Sequence, residues 1–467
     1  MGRRRVIVLG AGESGRGVAL LARRLGYAVR VSDAGALSDA ARAELDDASV
    51  PYEEGGHTRD DLDEHAVVVK SPGIPWEAPF VAFAKTRGAH VVGEMEFCAR
   101  YAETPFGKTR RIGITGSNGK TTTTLLVTHL LNAAGLRAVA CGNVGLSFAR
   151  QLLAPGAYDW YVLELSSFQL EDIERFRVDV GLLLNLSPDH LDRYGGDFAA
   201  YAAAKYRLKD TLRPPDGSRG ALGLWLQPGD PVSLAHATPW VGDFSSVTMP
   251  ARFDDGVALA PWGEVSLAGT PLRGPHNAAN ASFALFAASA AIGLARGPEG
   301  AERAEPVLAE ALATFRNAPH RLERVGYVGG VEWVNDSKAT NLDAVEKALA
   351  SYRQPIVWIA GGVDKGNDYA AVLPLVRERV RAIVALGVDN AKLRDAFGEF
   401  GGRMTETSDL FAAIEAARLA AQPGDVVLLS PACASFDLFA NYIDRGDRFR
   451  EAVRALPGFR ETLHTPP

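Results

Sequence analysis

The first hundred residues alternate short apolar runs, rich in β-branched side chains, with more polar stretches. The apolar runs are VIVLG at 6–10, AVRVSD at 28–33 and AVVVKSPG at 66–73, and a helical pattern separates the first two. Strands that alternate with helices predict βαβ units and therefore a mainly parallel sheet. The segment ETPFGKTRR at 103–111 is interpreted as a linker to a second region.

The second region opens with RRIGIT, a predicted strand, followed by the helical pattern TTTTLLVTHLLNAAG. Leu126, Leu130 and Leu131 share one face of that helix, and Gly135 is its expected end. WYVLELSS and VGLLLNLS are nearly continuous apolar runs, as expected of buried parallel strands. Residues 214–275, rich in Pro, Gly and Trp, predict irregular or short β structure, and a long helix should follow HNAAN.

The third region begins with HRLERVGYVGGVEWVND, which predicts a β-hairpin around Val-Gly-Gly. PIVWIAGG, AIVALG and DVVLLSP are predicted strands with amphipathic helices between them. The whole pattern predicts an α/β fold of three domains, at 1–103, 104–317 and 318–467. The outer two are expected to be Rossmann-like, and the central one is expected to be an ATPase-type domain with a parallel sheet.

Composition excludes several classes of protein. The 467 residues are 47% hydrophobic and 23% charged, as in a soluble globular protein, and the net charge of −6 argues against non-specific binding to nucleic acid or anionic membranes. The three cysteines, Cys98, Cys141 and Cys433, are widely spaced, which favours a reduced cytosolic protein without a cysteine metal cluster. The apolar stretch 281–295 is too short to span a bilayer and predicts a buried helix.

The stretch GITGSNGKTTTT, at 113–124, resembles a phosphate-binding loop but has Ile114 where the standard pattern has its first glycine. Gly116 and Gly119 allow unusual backbone angles, and the amides of the helix start can then face an anion. Lys120 would contact the β and γ phosphates, and Thr121 would offer a hydroxyl to Mg²⁺. The alternative interpretation is a plain turn between strand and helix with an exposed lysine.

Other polar residues follow the predicted strands. Glu164 ends WYVLEL and His190 follows VGLLLNLSPD, the strand ends where open α/β sheets place their ligands. Taken alone, Glu164 could be a surface carboxylate and His190 a turn histidine. GAGESG is a lone G-x-G-x-x-G with Asp33 after the second strand, which by itself is weak evidence for NAD binding.

Eight motifs occur in a fixed order along the chain: TGSNGKTT, ELSSFQLE, DHLDRY with YAAAKYRL, HNAAN, HRLE, NDSKATN, GGVDKG and SPACASFD. In this order they closely resemble the Mur ligases of peptidoglycan synthesis, which use a shortened T-G-x-x-G-K-[ST] loop. NDSKATN and SPACASFD resemble the members that add D-glutamate. The phosphate loop alone would not separate these from other Mur ligases or from folylpolyglutamate synthetase.

The resemblance implies a cytoplasmic, monomeric ligase without membrane insertion. Such an enzyme transfers the γ-phosphate of ATP to the carboxylate of UDP-N-acetylmuramoyl-L-alanine, and the amine of D-glutamate attacks the acyl phosphate. Lys120 and two Mg²⁺ ions would screen the anions that meet in the first step. The implied metal ligands are Thr121, Glu164, His190 and a carbamylated Lys205. The implied catalytic residues are Lys120, Glu164, His190 and Lys205.

The resemblance also implies binding residues. The implied ATP contacts are Thr115, Gly116, Ser117, Asn118, Gly119, Lys120, Thr121, Thr122, His276, Asn277, Asn280, Arg321, Asp336 and Lys338. The implied contacts to the UDP-sugar substrate are Glu13, Ser14, Asp33, Ser71 and Asn143, and Ser166 and Ser167 are further substrate contacts. The implied D-glutamate contacts are Lys338, Thr340, Ser435, Phe436 and Tyr442. Cys433 is expected to be a buried structural thiol.

Three alternatives remain at this stage. The first is a Mur-type ligase for another amino acid, which absence of NDSKATN or ACASF would have favoured. The second is an NAD-dependent dehydrogenase fused to a phosphate-loop module, which explains GAGESG but leaves ELSSFQLE, HNAAN and ACASF without a role. The third is a non-enzymatic nucleotide switch. Phosphate release with and without UDP-N-acetylmuramoyl-L-alanine and D-glutamate separates all three.

Overall fold

A computed structural model describes residues 5–60, 62–102, 110–154, 156–171, 173–191, 193–212, 222–226, 245–250, 253–364 and 366–461. The linker predicted at 103–111 lies outside these residues except for its last two, and so does much of 214–275. The chain forms two compact units. The first comprises Met1–Phe253, Ala258–Ser266 and Ala279–Phe315, and the second Asp254–Val257, Leu267–Ala278 and Arg316–Pro467.

The amino-terminal part of the first unit is a five-stranded parallel sheet in the order β3-β2-β1-β4-β5. Its strands are β1 (Arg5–Leu9), β2 (Ala28–Ser32), β3 (Tyr52–Glu53), β4 (Val67–Lys70) and β5 (His90–Gly93). Its helices are α1 (Glu13–Arg24), α2 (Asp39–Asp47), α3 (Pro79–Thr86) and α4 (Glu94–Phe97), and a π-helical turn follows at Cys98–Ala102. The parallel βαβ prediction is confirmed, although the short edge strands β3 and β5 carried too little pattern to be singled out.

A second sheet in the same unit has six strands in the order β11-β10-β9-β6-β8-β7, all paired in parallel. The strands are β6 (Arg110–Thr115), β7 (Ala138–Gly142), β8 (Trp160–Glu164), β9 (Val180–Leu183), β10 (Leu222–Leu226) and β11 (Ser245–Met249). The helices are α5 (Lys120–Ala133), α6 (Phe148–Gln151), α7 (Ser167–Glu171) and α8 (Phe198–Tyr206), with a 3₁₀ turn at Arg207–Thr211. Strand β6, which carries the phosphate-loop sequence, is therefore central, between β9 and β8.

A small two-stranded sheet and two long helices follow along the chain. They are β12 (Val257–Ala260), β13 (Gly263–Ser266), α9 (Pro275–Arg296) and α10 (Pro298–Thr314). By length and composition α9 could cross a membrane, but 61% of its most apolar window is buried inside the fold. The long helix predicted to follow HNAAN is present and packs as a core helix does, but it begins at Pro275 and therefore includes the motif.

The second unit contains a six-stranded sheet in the order β14-β15-β19-β16-β17-β18. Its strands are β14 (Glu323–Val328), β15 (Val331–Asn335), β16 (Ile356–Ala360), β17 (Val380–Leu386), β18 (Met404–Thr407) and β19 (Val426–Leu429). Its helices are α11 (Leu342–Ala350), α12 (Leu373–Arg379), α13 (Ala391–Phe397), α14 (Leu410–Ala420) and α15 (Tyr442–Arg454), with 3₁₀ turns at Tyr369–Ala371 and Gly398–Arg403.

The hairpin predicted around Val-Gly-Gly is confirmed as the antiparallel pair β14–β15. Its turn places Gly329 at φ 58° and Gly330 at φ 79°, as a tight two-residue hairpin turn requires. The other strand pairs of this sheet are parallel. Alternate residues fill two cores, with Val334 and Trp358 on one face and Trp333 and Val357 on the other. Functional side chains can then project from the strand ends.

Candidate active site

The phosphate-loop sequence forms the tight connection between β6 and α5. Gly116 and Gly119 have φ values of 153° and 82°, and a Cβ at Gly119 would lie 2.3 Å from Asn280 Oδ1. A residue other than glycine at position 119 would be strained by this backbone angle and would clash with Asn280. Lys120 folds back over the loop, and its Nζ donates to the carbonyls of Gly116 and Ser117, each at 2.7 Å. The exposed lysine of the plain-turn interpretation is not what the structure contains.

Asn185, which directly follows the apolar run of β9, fixes the loop. Its carbonyl accepts from Ser117 N at 2.9 Å, and its side chain accepts from Asn118 N at 2.8 Å and donates to Asn118 O at 2.9 Å. Ser117 Oγ also donates to Ser187 O at 2.8 Å. Sequence reasoning missed Asn185, although the strand-end argument that selected Glu164 would have selected it as well.

Glu164 connects three segments at the end of β8. The side chain is 3% exposed; its Oε2 accepts from Thr121 Oγ1 at 2.7 Å and its Oε1 accepts from Asn143 Nδ2 at 2.9 Å. The structure thus brings together Thr121, Asn143 and Glu164, which lie far apart in sequence. A buried carboxylate beside a hydroxyl offers oxygen ligands of the kind that Mg²⁺ prefers.

Lys205 reaches the phosphate loop from helix α8. It is 2% exposed, and its Nζ donates at 2.8 Å to Gly116 O, the same carbonyl that Lys120 contacts. Burial holds the pKa of Lys205 well below its usual range, and the charge of Lys120 lowers that pKa further. The amine of Lys205 is therefore much more readily deprotonated than that of a solvated lysine.

His190 makes no hydrogen bond to Thr121, Glu164 or Lys205 within the described residues. Its backbone φ is 50°, its side chain is 56% exposed, and its ring packs 5.3 Å from that of Phe168. Among the described residues no hydrogen bond or ion pair joins His190 to Glu164. Nowhere in the described residues do three or more His, Cys, Asp or Glu side chains form a group arranged to bind a metal. A left-handed backbone at a non-glycine residue is a strain that clusters at functional loops.

The loop after β1 is held by its own neighbours. Asp33 accepts from Ala11 N at 2.7 Å and from Gly35 N at 2.9 Å. Glu13 accepts from Ser147 N at 3.1 Å and from Arg150 Nε at 2.7 Å. These carboxylates, proposed from sequence as UDP contacts, are engaged with the protein itself.

Two serines beside the same loop differ in whether their hydroxyl groups are hydrogen-bonded. Ser14 Oγ donates to Glu94, a buried carboxylate that also accepts from Ala149 N at 3.0 Å, and burial raises the pKa of Glu94 to about 7. Ser71 Oγ is buried and, within the described residues, has no hydrogen-bond partner. Such an orphaned hydroxyl costs about 1–3 kcal/mol. A Cβ at Gly10, whose φ is 91°, would lie 2.6 Å from this oxygen, so glycine allows the backbone to pass close to Ser71.

Ser166 and Ser167 lie at the start of α7. Ser166 N and Oγ both donate to Gln169 Oε1, at 3.0 and 3.1 Å, which is a local capping arrangement. Ser167 is buried. Asn280, on α9, accepts from Thr123 Oγ1 at 3.3 Å, and thereby joins the HNAAN motif to the first turns of α5.

In the second unit, the start of α9 carries His276 and Asn277. Asn277 Nδ2 donates to Arg273 O at 2.8 Å. Burial, with a smaller effect from the charge of Lys347, lowers the pKa of His276 to about 4. His276 is therefore a neutral imidazole at pH 7, able to accept one hydrogen bond and donate another.

Arg321 and Asp336 lie in a strained, buried junction. Arg321 stands between His320 at φ 66° and Leu322 at φ 44°. Asp336 accepts from Leu322 N at 3.1 Å and from Ser430 Oγ at 2.9 Å, and burial raises its pKa to about 7. Two left-handed non-glycine residues around one arginine cost of order 1–3 kcal/mol each, so the surroundings must impose this shape.

Two of the predicted D-glutamate contacts, Lys338 and Tyr442, meet at the start of α15. The Lys338 ammonium lies 3.8 Å from the centre of the Tyr442 ring. Ser435 is 3% exposed, Thr340 is partly exposed, and Phe436 is 71% exposed. Phe411 and Leu419 are as exposed as Phe436, at 69% and 71%, so the exposure of Phe436 is not specific to this region.

Arg445, on α15, is a residue that sequence reasoning missed. It is 2% exposed and donates to Ser337 Oγ and Ser337 O at 2.9 Å and to Cys433 O at 3.3 Å. Burial lowers its pKa to about 10, and no carboxylate within the described residues forms an ion pair with it. Arg445 therefore ties NDSKATN to SPACASFD. One arginine in an amphipathic helix gives no sequence signal for such a role.

Parallel sheets with a glycine-rich loop after a central strand, and polar residues at the strand ends, define a multidomain α/β nucleotide-dependent enzyme. Three family models match the chain: a Mur ligase MurD-like N-terminal domain at 4–93, a Mur ligase middle domain at 114–218, and a Mur ligase glutamate ligase domain at 320–433. The chain belongs to the Mur ligase family, and the predicted three-domain α/β fold class is confirmed.

Curated relatives match almost the whole chain. Those of Cytophaga hutchinsonii (43% identical, 97% of this chain and 99% of the relative) and Salinibacter ruber (41%, 97% and 98%) are both named UDP-N-acetylmuramoylalanine–D-glutamate ligase. Two solved structures share the fold. UDP-N-acetylmuramate-alanine ligase MurC of Thermotoga maritima has a TM-score of 0.57 at 19% identity, covering 96% of this chain and 98% of that one. MurF ligase of the same organism, in complex with ADP, has a TM-score of 0.55 at 16% identity, covering 84% and 95%.

Proposed function

We propose that this protein is an ATP-dependent ligase that joins D-glutamate to UDP-N-acetylmuramoyl-L-alanine and releases ADP and phosphate. The observation that carries the proposal is the 43% identity, over 97% of the chain, to a relative named for that reaction. Motifs NDSKATN and SPACASFD, which the structure ties together through Arg445, support the choice of amino acid.

The first chemical step joins two anions, the γ-phosphate of ATP and the carboxylate of the acceptor. Amides at the start of α5 and the ammonium of Lys120 provide positive charge where negative charge increases. In the structure Lys120 Nζ donates to two loop carbonyls, and ATP phosphates would take the place of those acceptors. The product of this step is an acyl phosphate and ADP.

Mg²⁺ belongs to this proposal because the donor set fits it. Thr121 Oγ1 and the buried Glu164 carboxylate already meet at 2.7 Å, and oxygen donors suit this hard cation. Thr121, Glu164, His190 and a carbamylated Lys205 would hold two ions, which supply charge neutralisation of the phosphates. His190 would complete the set after a change in its side-chain position.

Lys205 is suited to carbamylation by its environment. A neutral amine attacks CO₂, an N–C bond forms, and one proton leaves to give an anionic carbamate. Burial favours the neutral amine, and an ammonium there would repel Lys120 and any nearby cation. The carbamate would replace a buried cation with an oxygen ligand.

The UDP-sugar is proposed to bind at the carboxyl ends of the first sheet. Ser71 Oγ is the strongest support, since it is a buried hydroxyl without a partner in the described residues, close to the backbone of Gly10. Asp33, Glu13 and Glu94 would shape the loop, and Ser14 would contact the diphosphate. Asn143, bonded to Glu164, would place the acceptor carboxylate near the phosphate loop.

The amine of D-glutamate then attacks the acyl phosphate, and loss of phosphate gives the amide. Lys338, Thr340 and Ser435 would bind the two carboxylates, with Phe436 and Tyr442 as apolar walls. Inverting the α-carbon misdirects the amine or a carboxylate, so L-glutamate should be a poor substrate. The adenine contacts would be neutral His276, Asn277 and Asn280. Arg321 and Asp336 would contribute to ATP binding from the third domain.

A coupled phosphate-release assay tests the proposal. We expect release only when ATP, UDP-N-acetylmuramoyl-L-alanine and D-glutamate are all present, with product formation confirmed by mass spectrometry. Equal turnover with L-lysine or diaminopimelate in place of D-glutamate would instead assign another Mur-type activity. We further propose a cytoplasmic monomer with domain boundaries near 103 and 317.

A further inference from the structure

A cleft lies wholly within the second unit, outside the motifs assigned above. Its volume is about 440 Å³, within the range of small-molecule sites. The residues that line it include three arginines, Arg273, Arg324 and Arg353, with Ser351 and Gln354 as further polar groups. Three guanidinium groups in one cleft repel one another unless an anion lies between them.

The arginines of this cleft have N–H donors that remain available to an anion. Arg353 is exposed and, within the part of the chain that the structure describes, makes no hydrogen bond or ion pair. Within the described ranges, Arg324 makes one long hydrogen bond, 3.4 Å to Tyr327 Oη, and lies 5.9 Å from the centre of the Tyr327 ring. Of the three arginines, Arg273 alone forms an ion pair with a described residue, Glu332, at 3.1 Å. The cleft's own carboxylate, Asp255, accepts from Gly274 N at 2.9 Å. The lining is therefore net positive with unused donors.

We propose that this cleft binds a small organic or inorganic anion with two or more negative charges, bearing phosphate or carboxylate groups. Guanidinium forks match both oxyanions, often with two parallel hydrogen bonds. Gln354 adds a neutral amide donor, whereas the hydroxyls of Thr270 and Ser351 already donate to Leu267 O and Lys347 O. The volume admits a metabolite larger than inorganic phosphate.

The cleft is linked to the nucleotide motif through the backbone. Arg273 precedes Gly274 and His276, and its carbonyl accepts from Asn277 Nδ2 at 2.8 Å. An anion that orders Arg273 and the Asp255–Gly274 contact would therefore stabilise the first turn of α9, where HNAAN begins. This second step rests on the proposed function, since it assumes that Asn277 contacts adenine.

Calorimetric titration with pyrophosphate and with citrate tests the binding step. The phosphate loop is a competing anion site, so the titrations use wild type, Lys120→Ala and the double variant Arg324→Ala/Arg353→Ala. We expect binding that persists in Lys120→Ala and weakens at least about tenfold in the double variant. Pyrophosphate without citrate would restrict the ligand to phosphates, and citrate without pyrophosphate would restrict it to carboxylates.

The matched control is Arg394→Ala/Arg418→Ala, which removes the same charge from exposed arginines of the same unit that are paired with Glu406 and Glu415. Equal weakening in both double variants, loss of binding in Lys120→Ala alone, or no binding of either anion would overturn the proposal. Repeating the titration at saturating ADP tests the link, because coupling is reciprocal: a change of about fivefold or more is expected. An unchanged affinity would refute the link between the cleft and the nucleotide motif without contradicting the proposed ligase function.

Discussion

The phosphate loop and the region around α15 are both candidate binding sites, but they are built in opposite ways. The loop spans eight consecutive residues, from Thr115 to Thr122, and its geometry follows from two glycines and the adjoining strand and helix. The α15 region joins NDSKATN and SPACASFD, nearly a hundred residues apart, through the buried guanidinium of Arg445. A local motif encodes its own shape, whereas a distributed pocket depends on a residue outside both motifs.

The largest expected effect concerns the local site. Lys120→Ala should lower kcat by about 10²–10³-fold, because it removes charge that stabilises the transition state more than the ground state. Steady-state ligation and circular dichroism measure activity and folding, with Lys209→Ala as the control lysine. Near-normal turnover of folded Lys120→Ala would show that the loop is not catalytic.

The second prediction concerns the buried lysine behind the loop. Lys205→Ala should lose about 10²-fold of activity, and formate or acetate diffusing into the vacated space should restore part of it, because a carboxylate replaces the carbamate. Lys205→Arg should not be rescued, since its guanidinium keeps the charge and fills the space. An active Lys205→Arg enzyme, or mass spectra without a carbamate under CO₂, would refute carbamylation.

The third prediction turns to the distributed pocket. Arg445→Gln should raise KM for D-glutamate about 10-fold or more with little change in KM for ATP, because Ser337 O and Cys433 O lose their shared donor and the motifs separate. Arg445→Lys retains the charge and should recover part of the loss. Thr340→Ala, in a proposed direct contact, provides the comparison. If KM for ATP rises instead, Arg445 supports a different site.

The same contrast explains what sequence could and could not predict. Strands and helices followed from hydrophobic periodicity, and Glu164 followed from its place at a strand end. The proposed roles of Lys205 and Lys338 came only from family resemblance, and periodicity in particular does not reveal that Lys205 is buried. Arg445 and Glu94 gave no recognised signal, since their importance comes from partners that only folding brings near, whereas Asn185 follows a strand as Glu164 does and was overlooked.

The smallest effect is a pH dependence of stability in the α15 region. Burial raises the pKa of Asp336 to about 7, so the folded protein favours the neutral acid. The stability that this preference provides is complete below about pH 4, the pKa of an unfolded aspartate. It is lost as pH rises towards and through 7. Asp336→Asn stays neutral and keeps an oxygen to accept from Leu322 N. Between pH 5 and 8, at about 1.4 kcal/mol per pH unit up to the folded pKa, wild type should lose about 2–3 kcal/mol relative to this variant, or several degrees in Tm. Lys205, whose pKa burial lowers, has the opposite sign: relative to Lys205→Met in CO₂-free buffer, wild type should lose stability as pH falls from about 10. Thermal unfolding across pH tests both. Parallel curves for wild type and Asp336→Asn would show that Asp336 is ionised in the fold and would remove this difference between the two regions.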